Sequence, residues 1–367
     1  MIPLIRPDLT YGEVEGSIQA IVESGILTGG QFVDRFEQQV AEIVGATHAV
    51  ATTSASTAMT LALVAQGVGP GDEVLVSDFT FPATGNVIAA VGARPVLIDS
   101  RPESFVLDIE HARSMVTNRT AALLVVHPFG QPVPFDELDE FTNATGVQCI
   151  EDAACALGST HGSMQCGSGR TGCFSFHPRK VVTTGEGGMV TTNDRTLADH
   201  MRRLRSHGGV RSTPAMRFEE IGFNFRLSEI PAALGLAQLS RLDEILSHRR
   251  EVSHAYELLL REVDGVSLRE EPLGQAWSYQ SFVVMLDPTL DRDRVIRDMM
   301  CRGIETTLGT YAMHAQPAFA PYGYQPGDLP NSFQAQESSL TLPLSPSTTT
   351  HEVEQVCDAL ALAISSQ

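Results

Sequence analysis

Positive charge is in short supply in this chain: 25 Lys and Arg stand against 44 Asp and Glu, a formal net charge of −19 at neutral pH. Such a balance repels polyanions, which argues against a general nucleic-acid or anionic-membrane surface. One stretch departs from it. From Arg202 to Arg226 the arginines at 202, 203, 205, 211, 217 and 226 face only Glu219 and Glu220. That run reads either as a solvated helix face and loop or as a basic rim for an anionic small molecule. Long apolar runs are missing too: none reaches the roughly 18 residues of a membrane span, and the start, Met1 to Pro7, lacks the parts of a secretory signal. Cysteine is sparse, with six residues at 149, 155, 166, 173, 301 and 357 and no CxxC pair. This excludes a disulfide scaffold and an ordinary zinc site, so no metal is expected. A reduced, cytoplasmic protein is the expectation. A Gly-x-Gly-x-x-Gly turn is absent after the first strand, which removes a nicotinamide-binding reading.

What is present is ordinary globular composition, 43% hydrophobic and 19% charged in 367 residues, a length that suggests two domains. Helical spacing runs through Tyr11–Ser24 and Phe32–Val44, with a loop at Thr28-Gly29-Gly30 between them. Apolar strands then alternate with helices: Ala49–Ala51, a Thr/Ser turn at 52–56, a helix from Thr57 to Gln66, a strand Glu73–Ser77, a helix Ala83–Val91, and strands Pro95–Ile98, Thr120–Val126 and Gln148–Ile150. The pattern predicts a large α/β domain with a mainly parallel sheet flanked by helices and its chemistry at the strand ends. Leu227–Leu260 reads as a long helical segment interrupted at Pro231. Strand-like runs at Ser281–Leu286 and Leu340–Leu342 alternate with helical ones at Arg292–Met300 and Thr350–Ile364, a smaller C-terminal α+β domain. The division is set at 1–245 and 246–367, and Pro317–Pro330 is read as a loop.

Two segments carry chemistry. Phe174 to Gly188 sets Lys180 between small and aromatic residues and a Gly-rich turn, a setting for a cofactor that approaches the backbone closely. Ile150-Glu151-Asp152-Ala153-Ala154 puts a carboxylate at the end of a buried strand, where it needs a cationic partner. A protonated pyridine nitrogen is such a partner; the plainer alternative is a helix cap.

With these segments the sequence resembles the DegT/DnrJ/EryC1/StrS family of pyridoxal-phosphate (PLP)-dependent sugar aminotransferases, of fold type I. The likeness runs from Ile2-Pro3 through Thr28-Gly29-Gly30, Gly69 to Val74, Phe79 to Thr84, Glu151 to Ala154 and Gly185 to Gly188, to Leu342-Pro343-Leu344. It implies that Lys180 is the Schiff-base lysine and Asp152 the partner of the pyridine nitrogen, with Phe81 stacking on the ring. Ala55, Ser56 and Ser175 are implied phosphate contacts, and Asn224 reaches the phosphate of a neighbouring subunit, which implies a homodimer with shared active sites. Thr28, Glu186, Tyr311 and His314 are the implied substrate contacts, although Glu186, like His177, has a plainer structural role in the Gly-rich turn. Ala55 departs from the family's glycine. Cys155 stands at a cofactor contact where the family has Gln or His, and Phe129 follows His127-Pro128 where the family prefers Leu. The implied reaction moves an amino group from an amino acid, usually glutamate, to a keto-sugar, nucleotide-linked, in amino-sugar biosynthesis. A cyclitol or other non-nucleotide ketone, or an idle binding or regulatory relative, are the alternatives.

Overall fold

A computed structural model of the protein, describing residues 1–325 and 327–366, is built on a seven-stranded sheet. Its strands run in the order His48–Thr52, Gly188–Thr192, Thr171–Ser175, Gln148–Asp152, Thr120–Val126, Glu73–Ser77, Arg94–Ile98. From Thr171–Ser175 onward neighbours are parallel, whereas Gly188–Thr192 is antiparallel to both of its neighbours. Continuous apolar runs make these strands because both faces of the sheet are covered. Successive side chains point to opposite faces. Leu75, Leu123, Val125 and Cys149 therefore enter one core with Phe36 and Phe141, while Val74, Val76, Leu124 and Ile150 enter a second with Met59 and Met201.

Helix limits follow local chemistry. The helix expected from Thr57 starts at Ala55, because the Ser54 hydroxyl accepts the Thr57 N–H and caps it. Gln31–Val44 has Gly30 as its cap residue, which offers no side chain; Glu229 substitutes, accepting from the N–H groups of Gly30 (3.0 Å) and Phe32 (2.9 Å). The long segment from Leu227 is two helices, Glu229–Leu239 and Leu242–Leu260. Pro231 does not interrupt it, since it lies in a first turn where an N–H has no helical acceptor. The expected loop at Pro317–Pro330 holds a 3-10 stretch, Pro317–Tyr322, and Pro330 opens the helix Pro330–Ser338; Pro326 within it lies outside the described residues.

A four-stranded antiparallel sheet, ordered Val266–Ser267, Phe282–Leu286, Ser339–Leu342, Thr307–Leu308, forms a second layer with its own core of Tyr256, Val284, Met299, Leu342 and Leu360. The helix Leu242–Leu260 serves both bodies: Leu242, Ile245 and Leu246 join the first core, Val252, Tyr256 and Leu260 the other. Ile2 sits with this layer, its N–H donating to Gly303 O and its carbonyl accepting from Glu305 N. The chain then returns beside the strand Glu73–Ser77, where Tyr311–Ala312 pairs antiparallel with Phe79–Thr80 in a separate two-stranded sheet. Among the described residues no helix is long and apolar enough to cross a membrane.

Candidate functional site

Parallel sheets gather their functional side chains beyond the strands' carboxyl ends, and Asp152 is the last residue of such a strand. Its carboxylate is buried and accepts two hydrogen bonds, from the Thr84 hydroxyl (2.7 Å) and the Ala154 N–H (3.1 Å). Burial holds this carboxyl above the ordinary range, while the two hydrogen bonds and the charges of Lys180 and His127 pull the other way. It forms no ion pair among the described residues.

Lys180 is half-buried in the turn after Thr171–Ser175, its N–H donating to His177 O (2.9 Å). The Gln280 side chain donates to Arg179 O (2.7 Å) and holds the turn from the second layer. The Lys180 Nζ donates to Cys155 Sγ at 3.1 Å. The thiol at the departing position therefore faces the amine directly. Beside it, burial foremost lowers the pKa of His177, whose N–H reaches the Ser175 hydroxyl at 3.4 Å.

The implied phosphate end closes through Gly188. This residue pairs with both Thr52 and Ser175 across the sheet, and a side chain on it would collide with the Ser54 carbonyl. Ser175 and the helix start at Ser54 thus meet at one corner. Ala55 lies inside the helix, where no left-handed backbone is needed, so its departure from glycine costs nothing in conformation. The N–H groups of Ala55 and Ser56 lie in a first turn with no helical acceptor, and the Ser56 hydroxyl makes no hydrogen bond among the described residues.

Phe81 is 66% exposed, and its ring meets Tyr311 edge-on at 6.4 Å between centroids. His314, expected beside Tyr311 as a substrate contact, has a fully buried side chain instead, with Nδ1 2.6 Å from Asp78 Oδ2. Its plain role is to clamp the Tyr311 strand; burial foremost raises the pKa of Asp78 against the opposing pull of His314. Thr28, Glu186 and Asn224 are exposed, Thr28 bridged to Ser228 and Asn224 to Ser206. The basic stretch is largely spent on local partners: Arg202 pairs with Asp199, Arg203 with Glu220, Arg205 with Glu37 and Arg217 with Glu219. Arg211 and Arg226 are the two of the six that lack an ion pair among the described residues.

Sequence reasoning passed over three contributors. In the sequence Thr84 is one position of a motif, Asp78 has no signal, and Glu151 is the neighbour of Asp152. Glu151 is buried on the other face of the strand, with His127 Nε2 at 3.0 Å, the Gly167 N–H at 2.6 Å and Arg170 Nη1 at 3.6 Å. His127 Nδ1 accepts from Val133 N, so Nε2 carries the proton donated to Glu151. Burial is the largest influence on Glu151 and pushes its pKa up, yet these partners together bring it below the ordinary value. The ligand atoms of His127, Glu151 and Cys166 lie within 4.8 Å; Glu151 Oε2 is already held by His127 and the Gly167 N–H, and Oε1 faces Arg170 without a hydrogen bond.

The residues present fit PLP: a buried carboxylate without a cation, an exposed aromatic face, helix-start N–H groups with an unengaged hydroxyl, and an amine beside them. The profile of the DegT/DnrJ/EryC1/StrS aminotransferase family matches residues 11–361. GDP-perosamine synthase of Caulobacter vibrioides is 37% identical over 365 residues, covering 98% of this chain and 97% of that protein. Spore coat polysaccharide biosynthesis protein SpsC of Bacillus subtilis is 33% identical over 376 residues, 98% of this chain and 96% of SpsC. The structure of S. venezuelae DesV superposes with a TM-score of 0.92 at 31% identity, covering 98% of both chains.

Proposed function

The chain belongs to the DegT/DnrJ/EryC1/StrS aminotransferase family, and on that premise we propose that this PLP-dependent aminotransferase of amino-sugar biosynthesis takes its amino group from glutamate and delivers it to a nucleotide-linked keto-sugar. The buried, cation-less carboxylate of Asp152 carries the assignment of the site. PLP supplies the aldehyde that condenses with amines and a protonated ring that draws off electrons. Asp152 keeps that ring nitrogen protonated, Phe81 supports the ring face, and the first-turn N–H groups at Ala55 and Ser56, with the Ser56 and Ser175 hydroxyls, take the phosphate. Cys155 lies beside the amine in the position of a cofactor contact. The Lys180 Nζ, once free, takes a proton from the donor's Cα and returns one in the second half of the cycle. Thr28, Glu186 and Tyr311 line the substrate side, with His314 acting through the Tyr311 strand.

A homodimer with shared active sites is part of the proposal. Asn224 is exposed in a segment that also exposes Phe218 (63%) and Ile221 (94%), apolar surface that a second copy would cover. The division into a large domain, 1–245, and a smaller one, 246–367, and a cytoplasmic location complete it. The test is the visible spectrum of the purified protein with PLP. A protein-bound band near ~415 nm that yields to one near ~330 nm on adding glutamate is expected. A bound band that glutamate leaves unchanged would overturn the donor, and no bound band at all would overturn the enzyme assignment.

A further inference from the structure

Asp152 is held by a polar line that starts where Tyr311–Ala312 pairs with Phe79–Thr80. The backbone of Tyr311 pairs with Thr80, and the Asp78 carboxylate fixes the same segment by accepting the His314 N–H (2.8 Å) and facing its imidazole. The Thr80 hydroxyl then lies 3.2 Å from that of Thr84, which lies 2.7 Å from Asp152 Oδ2. All three side chains are buried, with Thr84 at 1% exposure and Thr80 at 3%. Proton direction follows from chemistry. An ionised carboxylate only accepts, so the Thr84 proton points to Asp152, and Thr80 donates to Thr84. The competing acceptor for the Thr84 hydroxyl, Phe81 O, is farther away at 3.3 Å.

We propose that Thr84 is a positioning residue for the ring nitrogen of the cofactor: its hydroxyl, oriented by Thr80, holds the Asp152 carboxylate ionised and turned to receive a cation. The inference rests on the assignment of Asp152 to that nitrogen. A buried carboxylate loses a charge-assisted hydrogen bond when Thr84 loses its hydroxyl, an effect of about tenfold or more in an equilibrium. Lys180 and His127 influence Asp152 by charge, and Cys173 lies opposite it in register; all three remain in the variants below.

The experiment compares PLP with 1-deaza-PLP, which lacks the ring nitrogen, by equilibrium dialysis against the full-length apoprotein. Wild type should prefer PLP, Thr84→Val should lose about tenfold of that preference, and Thr84→Ser, which keeps the hydroxyl, should retain it. The pH below which PLP affinity falls should rise in Thr84→Val and stay in place in Thr84→Ser. Thr80→Val, a second route should Thr84→Val fail to fold, should lose less in the same direction. Full preference in both Val variants would overturn the role of Thr84, as would equal losses in Thr84→Val and Thr84→Ser, which indicate packing alone. A wild type that binds both compounds equally would overturn the assignment of Asp152, and this inference with it.

Discussion

Glu151 and Asp152 are consecutive carboxylates on one strand, both buried, and their surroundings push them in opposite directions. Glu151 points to the face where His127, Arg170 and the Gly167 N–H wait, and its pKa falls below the ordinary value. Asp152 points to the other face, finds only the neutral donors Thr84 and Ala154 at hydrogen-bonding distance, and stays above it. A folded chain supplies partners for the charges that hold it together. Where it buries a carboxylate and provides no bonded cation, the cation is expected from outside. The contrast sets the carboxylate proposed to meet the cofactor apart from one that the chain itself has partnered.

Removing the amine that completes the functional face should have the largest effect. Lys180→Ala should abolish turnover while circular dichroism and the melting temperature stay close to wild type, because among the described residues its Nζ hydrogen-bonds only to Cys155. Measurable multiple turnover in that variant would end its assigned role. Asp152→Asn comes next, with activity expected to fall about a hundredfold or more as the ring nitrogen loses its anionic partner. Its effect on the apoprotein should run the other way. A carboxyl whose folded pKa is raised takes stability away once pH exceeds its unfolded value. An amide there should leave the cofactor-free melting temperature unchanged or higher. A large loss of apoprotein stability in Asp152→Asn would erase the distinction between the two carboxylates.

How far the sequence discloses this depends on distance along the chain. The apolar runs Glu73–Ser77 and Thr120–Val126 are legible because a strand covered on both faces needs nothing but its own residues to be recognised. Thr171–Ser175 and Gly188–Thr192 are not, being short and rich in Gly and Thr, although they frame the corner proposed for the phosphate. Lys180 and Asp152 stand out through their immediate neighbours. Their supports do not: Thr84 meets Asp152 across 68 positions and Asp78 meets His314 across 236. Such pairings depend on strand order, which local periodicity does not encode. His314 shows the consequence, since nothing near Tyr311 in the sequence announces its burial against Asp78.

The smallest expected effect is on the structural face. Glu151→Gln keeps the shape but leaves the half-buried Arg170 without one of its two carboxylates, Asp139 remaining. A loss of about 3 kcal/mol in the urea unfolding free energy of the apoprotein follows, the low end for breaking a buried pair. A carboxyl with a depressed folded pKa contributes stability that is present above its unfolded value and is lost as pH falls through the folded one. The difference between wild type and Glu151→Gln should therefore be full at pH 7 and shrink below the ordinary glutamate range, with PLP preferred over its deaza analogue to the same degree in both proteins. If the variant instead loses that preference, the two faces of the strand are not independent, and the charge of Glu151 reaches the ring nitrogen through Asp152.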